Sequence, residues 1–479
     1  VVTSETESGV ESIESGIRPE AGSGTGSLAG SGAGSGIKSA AGALPLVGHA
    51  HPLLRDPLAF LRSQGGEGPV VRLLIGRREA FLVTGTEAAL QVLSSEQRCF
   101  DKGGPFMEAA RLLVGNGVIT CSADEHRLQR PMVQPAFHRT RVAGYAPVMS
   151  ACVRETTALW RPGRAVPVRD EMYRLSAAVV SRTLVSAPAG RQAAETMAAT
   201  LPVLLQGMLR RMVVPLPWAH RVPTQANRRF SRARSRLDAA VDDVIAQYRG
   251  AERDRGDLLS TIMAAEEGSG RVPDDGEVRD QVMSVLAAGV ETTASLLAWT
   301  FHVLARHPEV ERRLWAELDA RLSGREPAFD DLPHLPFTKR VLTEVLRLYP
   351  PAWMLSRVVV KRARVAGVAL PAGADVIVSP YALQRDPGVF PRPDVFDPDR
   401  WLPDRVTPGQ RQSFLAFGAG RRRCMGEFYG MTEAMLALAG IGSRWRLRSL
   451  DPEPVRPVPR FLLMPSAQSL VLEERPGTC

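Results

Sequence analysis

The strongest chemical signal in this 479-residue chain is a lone cysteine in a glycine- and arginine-rich run, Phe417-Gly-Ala-Gly420-Arg-Arg422-Arg-Cys424-Met-Gly426-Glu427. A solitary Cys is ordinarily a small buried hydrophobe. Here Gly420 and Gly426 permit a tight turn and a close approach of the backbone to a flat ligand. A helical pattern follows to about Gly440, so Cys424 stands near a helix N-terminus and beside three arginines. Both features favour thiolate over thiol. With no Cys or His nearby, one thiolate does not make a four-ligand zinc site; it suits the axial position of a haem iron.

Three further groups invite a chemical reading. Gly289, Val290, Glu291, Thr292 and Thr293 lie in the middle of a long apolar run, Val282 to Ala305. A carboxylate there is costly unless it is paired or used. Thr292 offers a hydroxyl and Glu291 a proton source, although a buried Thr often only bonds back to the preceding turn. Glu344 and Arg347 are three apart, share a helix face and can pair. His126 and Arg130 are one turn apart, so both can reach one anion, or they form a solvated basic face.

The cysteine run resembles the haem-binding loop of the cytochrome P-450 superfamily, Phe-x-x-Gly-x-Arg-x-Cys-x-Gly, at Phe417, Gly420, Arg422, Cys424 and Gly426. The resemblance spans roughly Leu44 to Cys479 and implies that superfamily's fold, mainly α with small β-sheets, as a single large haem domain with a long central helix. It implies haem b (iron protoporphyrin IX) with Cys424 as axial ligand, room for dioxygen at Gly289, and proton delivery by Glu291 and Thr292. His126, Arg130, Arg357 and Arg422 are the implied propionate partners. Glu344 and Arg347, joined by Arg400, are implied to hold the cysteine loop against the haem. The implied reaction inserts one oxygen atom from O2 into a small hydrophobic substrate, with electrons from NAD(P)H arriving through a separate ferredoxin and ferredoxin reductase.

The same resemblance places substrate contacts at Phe106, Met107, Leu112, Leu113, Leu204, Leu205, Met208, Val290, Trp353, Met354, Leu355 and Met464. Such a lining is apolar, with methionines that adapt in shape. Arg210-Arg-Met-Val-Val-Pro215 and Ala226-Asn-Arg-Arg-Phe230 resemble actinobacterial sesquiterpene oxygenases, which points to a terpenoid of secondary metabolism. A fatty acid, polyketide or other natural-product intermediate is the alternative substrate. A non-catalytic haem-thiolate sensor is the alternative class, and the Gly289, Glu291 and Thr292 set argues against it.

The rest of the sequence must supply elements that position these groups. Hydrophobic residues make up 44% and charged residues 23%, so a buried core is affordable and disorder is excluded as the main state. Five cysteines, at 99, 121, 152, 424 and 479, form no disulfide framework and suit a reducing cytoplasm. The net charge is +9, but only Lys38, Lys102, Lys339 and Lys361 are lysines. This arginine usage reads as genome composition, not as nucleic-acid binding, and the arginines between 210 and 236 read first as solvated helix faces. Residues 1–43, acidic and then Gly/Ser-rich, read as a disordered tail without a secretory pattern.

From Leu44 the pattern is that of one folded unit. Val70–Ile75 and Ala80–Val83 read as a hairpin, 105–350 as mainly helical, Val358–Val360 and Ala369–Ile377 as strands, 427–440 as a helix and Arg460–Glu473 as a last hairpin. Val282 to Ala305 is long enough to cross a bilayer, but Glu291 and His302 within it favour a buried central helix over a transmembrane segment. A cytoplasmic monomer is expected.

Overall fold

The computed structural model describes residues 37–45, 47–76, 78–186, 188–213, 217–249, 256–262 and 274–475. The principal helices are α1 (Gly104–Val114), α2 (Ala123–Val133), α3 (Val168–Thr183), α4 (Pro188–Val213), α5 (Gln225–Arg249), α6 (Asp275–Leu304), α7 (Pro336–Leu348) and α8 (Glu427–Arg444).

Helix α6 organises the core. It starts at a capping box in which the Asp274 carboxylate accepts from Glu277 N–H and the Glu277 side chain accepts from Asp274 N–H. Beyond Val282 it is apolar on every side, and such a helix is stable only when surrounded. Among the described residues it alone is long and apolar enough to span a bilayer, yet 78% of its most apolar window is buried inside the fold. Ser295 Oγ and Trp299 Nε1 both donate to Leu463 O, at 2.7 and 3.2 Å, and the Trp299 indole stacks on Tyr349. These bonds fix α6 against the C-terminal strands.

The main sheet has the order Val70–Ile75, Arg78–Val83, Asp375–Val378, Leu355–Val359, Phe100–Asp101. The expected first hairpin is present, with Val70 opposite Val83 and Ile75 opposite Arg78. Ala369–Ile377, expected as one strand, is interrupted: Val368–Leu370 turns back on Ala363–Val365, and Gly373 (φ +85) bends the chain before Asp375–Val378 joins the main sheet. The expected last hairpin is also two features. Pro457–Pro459 pairs with Leu463–Pro465, whereas Ser469–Glu474 joins Trp445–Ser449 and Ala165–Pro167.

Of the tail expected over residues 1–43, residues 1–36 lie outside the described residues. Lys38–Ala40 departs from that expectation and runs along the outer strand. Arg72 N–H donates to Lys38 O and Ala40 N–H to Arg72 O, both at 2.9 Å. Ala40 is buried and its carbonyl meets His49 Nε2 at 2.9 Å. Composition concealed this because the pairing uses backbone groups, for which the side chains carry no signature.

Candidate active site

The cysteine loop is held by its own backbone and by its neighbours. Cys424 N–H donates to Phe417 O at 2.9 Å. Gly420 has φ +67, and a Cβ there would lie 2.1 Å from Leu93 O, so only glycine fits. Helix α8 begins at Glu427, with Gly426 as its N-cap. Two of the three arginines expected to activate the thiol are engaged elsewhere. Arg422 donates to Asp101 Oδ1 (3.1 Å) and Cys121 O (2.8 Å), and Arg423 forms a two-bond pair with Glu427. The Cys424 thiol faces the open cavity, yet desolvation by the protein packed around it, helped by the Glu427 charge, raises its pKa, while Gly426 N–H, Lys102 and Arg130 pull it down. Metal coordination, which deprotonates a thiol outright, would supply what these cations do not.

The Glu344 cluster supports this loop. Arg347 donates to both Glu344 oxygens at 2.9 and 2.8 Å, and Arg400 Nε (3.3 Å), Trp401 Nε1 (2.8 Å) and Asp397 N–H (3.2 Å) complete the carboxylate. The spare N–H groups of Arg347 reach the carbonyls of Gln384, Pro393 and Val395. Gln384 passes the connection on. Its amide donates to the carbonyls of Leu346 and Arg347 and accepts from Leu415 N–H at 2.8 Å, two residues before Phe417. Trp401 packs edge-on against Phe414 at 5.1 Å. Neither Gln384 nor Trp401 was singled out from sequence, because an amide and an indole have no distinctive spacing.

Across the cavity from Cys424 stand Ser284, Val285, Ala288, Gly289, Thr292 and Thr293 of α6. Thr292 Oγ1 donates to Ala288 O at 2.6 Å, so its hydroxyl rests on its own helix at the cavity wall. Gly289 lines the cavity and also packs against a neighbouring helix. A Cβ there would lie 2.9 Å from Val180 Cγ2, so its missing side chain faces α3, and the glycine lets two helices approach. Glu291 is buried and does not line the cavity. Burial pushes its pKa up to about 7, with Arg460 a weaker opposing influence. The Tyr173 hydroxyl is buried without a partner among the described residues, and burial followed by the Glu291 charge holds it well above its usual range.

One edge of the cavity is basic, formed by Lys102, Arg130, Arg422 and an uncharged His126. Arg357 is buried close to them and donates to Ser356 O at 2.8 Å. Burial, reinforced by neighbouring cations, lowers Lys102 to about 7, His126 to about 3 and Arg357 to about 10. The expected His126/Arg130 pair divides its work. His126 faces the cavity, while Arg130 braces the cysteine loop through Arg421 O and, at 3.1 Å, Arg423 O. Lys102 was missed by sequence reasoning, although its rarity in an arginine-rich chain was an available signal.

These residues fit a haem. A single thiol stands on one face, a hydroxyl-bearing helix on the other, and Val118, Ile119, Phe137 and Leu184 supply apolar walls. A cluster of basic groups depressed by burial, and further by one another, is completed by anions, such as propionates. Among the described residues no three His, Cys, Asp or Glu side chains gather as a metal site, which leaves Cys424 as a lone donor.

The family model for cytochrome P450 matches residues 40–472. The chain belongs to the cytochrome P450 family. Membership makes it a haem-dependent monooxygenase that uses O2, a hydrophobic substrate and redox partners. It is 44% identical to the cyclooctatin synthase of Streptomyces melanosporofaciens, covering 91% of this chain and 95% of that protein. It is 42% identical to the pentalenene oxygenase of Streptomyces avermitilis (88% and 93%) and 43% identical to the cyclooctat-9-en-7-ol 5-monooxygenase of S. melanosporofaciens (86% and 89%). The crystal structure of the cytochrome P450DA heme domain superposes with a TM-score of 0.82 at 26% identity, covering 92% of this chain and 98% of that one.

The residues expected to contact substrate do not wall the cavity beside Cys424. Phe106 stacks on Phe461 at 4.7 Å, Trp353 Nε1 donates to Arg460 O, and Met107, Leu113, Leu204, Leu205, Met208, Val290 and Met464 are buried in the core. Met354 and Leu355 are partly buried beside the main sheet. Leu112 is 43% exposed, because the C-terminal turn of α1 directs it to solvent. Sequence position locates these segments but not the direction of each side chain.

Proposed function

We propose that this P450 oxygenates a polycyclic terpenoid hydrocarbon or alcohol in secondary metabolism. The observation that carries this reading is the extent of the likeness to two relatives named for pentalenene and cyclooctat-9-en-7-ol, which runs over nearly the whole chain. The apolar walls Val118, Ile119, Leu184 and Val285 support a substrate of that character. Bound haem, with Cys424 as its ligand, supplies the iron chemistry that reduces and cleaves dioxygen, and thiolate donation favours that cleavage.

The protein moves the protons. Thr292 Oγ1, turning from Ala288 O into the cavity, donates there, and Glu291 resupplies it. A carboxyl held near pH 7 both gives and retakes a proton readily. His126, Lys102, Arg357 and Arg422 hold the propionates. Phe106, Met107, Leu204, Leu205, Met208, Trp353, Met354, Leu355 and Met464 shape the access route and outer pocket.

Electrons come from a ferredoxin and its reductase, in the cytoplasm, to a monomeric P450. A concavity on the face behind Cys424, lined by Arg130, His138, Arg139, Lys339 and Phe428 and by the paired Arg423 and Glu427, offers a net positive charge around an apolar centre to an acidic donor. Purified P450 with surrogate ferredoxin, reductase and NADPH, offered pentalenene and a terpene panel, tests the reading. A monooxygenated product is expected. Turnover of fatty acids or polyketides with no terpene product would overturn it.

A further inference from the structure

The connection between α1 and α2 is fastened to one turn of α6. Asn116 N–H donates to Asp280 Oδ2 at 2.7 Å, Val118 N–H donates to Gln281 Oε1 at 3.0 Å, and Ser284 Oγ lies 3.5 Å from Val114 O. The fit is close. A Cβ on Gly115 would fall 1.8 Å from Asp280 Oδ1, and one on Gly117 would fall 2.3 Å from Ser284 Oγ and 2.4 Å from Asp280 O. Gly115 has φ +63 as well, so the segment is shaped to lay backbone directly on α6.

The segment is internally tied into one piece. Thr120 Oγ1 donates to Gly115 O at 2.6 Å, and Arg111 donates twice to Thr120 O, at 3.1 and 2.8 Å. On the α2 side, Asn116 Nδ2 donates to Glu125 Oε1 and Gln129 Nε2 to Asn116 O. It therefore moves as a unit. Its inner residues, Val118 and Ile119, wall the cavity opposite Cys424, together with Ser284 and Val285 of the same helix. To lift this wall, the bonds to Asp280 and Gln281 must break together with the Ser284 contact to Val114 O, the Lys102 bond to Ile119 O and the Arg422 bond to Cys121 O; the Asp280 and Gln281 side chains themselves do not touch the cavity.

We infer that Asp280 and Gln281 are positioning residues that latch residues 114–121 onto α6 and set how fast ligands pass into and out of the haem cavity. The carboxylate bond is the stronger of the two, since a charged acceptor roughly doubles a hydrogen bond's worth. Opening by rupture of this latch also requires Arg422 of the cysteine loop to release Cys121 O, and it leaves the Glu344 cluster untouched.

The holoprotein, loaded with haem, tests this with 4-phenylimidazole, which reports its arrival at the iron by an optical shift and requires no knowledge of the natural substrate. Stopped-flow mixing is expected to give association and dissociation rates raised about tenfold by Asp280→Ala and by Gln281→Leu, the size of a lost hydrogen bond to a charged or buried acceptor. Asp280→Asn, which keeps an oxygen acceptor but loses the charge, should give rates between those of Asp280→Ala and the native protein. Arg279→Ala is the control. It lies on the same turn but pairs with Asp242 on α5, and it should leave both rates unchanged.

Native rates in Asp280→Ala and Gln281→Leu, with the haem spectrum intact, would overturn the inference, as would equal acceleration by Arg279→Ala. If Asp280→Ala fails to retain haem, Gly115→Ala must accelerate both rates by displacing the carboxylate, and native rates there overturn it instead. Since the probe is not a terpenoid, failure here is separate from failure of the proposed substrate class.

Discussion

Glu344 and Glu291 are both buried acids on core helices, and the protein treats them in opposite ways. Glu344 is inaccessible and receives five hydrogen bonds, from Arg347, Arg400, Trp401 and the backbone of Asp397. Glu291 accepts none from the described residues, and burial lifts its pKa to about 7. Glu433 on α8 resembles Glu291. Both its oxygens are buried and unbonded, although the Ser176 and Thr293 hydroxyls face it, and burial pushes it up to about 8. A satisfied carboxylate is a strut, fixed in place by its partners. An unsatisfied one lies within reach of the proton, which is the property that oxygen chemistry needs.

Breaking the strut should have the largest effect. Glu344→Ala leaves Arg347 buried and uncompensated, which costs about 3–5 kcal/mol. Urea denaturation should show that loss together with poor haem retention, and a Glu344→Ala protein of native stability would make the cluster dispensable. Glu291→Gln should do the reverse. Stability should hold or rise slightly, while product formed per NADPH falls by about 10²-fold, the low end of a lost acid–base contribution. A parallel loss of stability would mean that Glu291 is another strut.

The contrast also has a pH signature. A carboxyl raised from 4.5 to about 8 makes the folded state bind more protons than the unfolded one between those values, so its stabilising contribution is complete below about pH 4.5 and is lost as pH rises through 8. Thermal melts from pH 5 to 9 should therefore fall more steeply in the native protein than in Glu433→Gln. Identical slopes would place the ionised form of Glu433 in a stabilising environment. Smallest of all, Arg423→Ala removes an exposed pair with Glu427 and should cost under about 1 kcal/mol in a denaturation curve, while slowing reduction by ferredoxin.

The sequence made one half of this contrast easy to see. The cysteine loop and the Glu344/Arg347 pair rely on spacings within a turn or a loop, and those survive into the fold unchanged. What joins them does not. Gln384 lies 37 residues from Arg347 and 31 from Leu415, and the link exists only once the sheet and α7 have met. Tyr173 and Glu433 come to α6 from helices before and after it, so their lack of partners could not be read locally. Gly289 was legible as a cavity residue, but its packing against Val180, 109 residues away in the chain, was not. Among the helical regions, lengths and centres were legible, and the directions of Leu112 and the other pocket residues were not.

The pairing of Lys38–Ala40 with the outer strand bears on how this protein can be built into larger ones. Val70–Ile75 is the last strand of the main sheet, and its free side at Arg72 is closed by that short segment. An electron-transfer partner fused at the N-terminus should therefore be joined upstream of Ile37. A chain cut back to Leu44 would leave the Arg72 amide and carbonyl bare, inviting edge-to-edge association with another molecule. Where the fused unit is attached then decides solubility before electron transfer is ever measured.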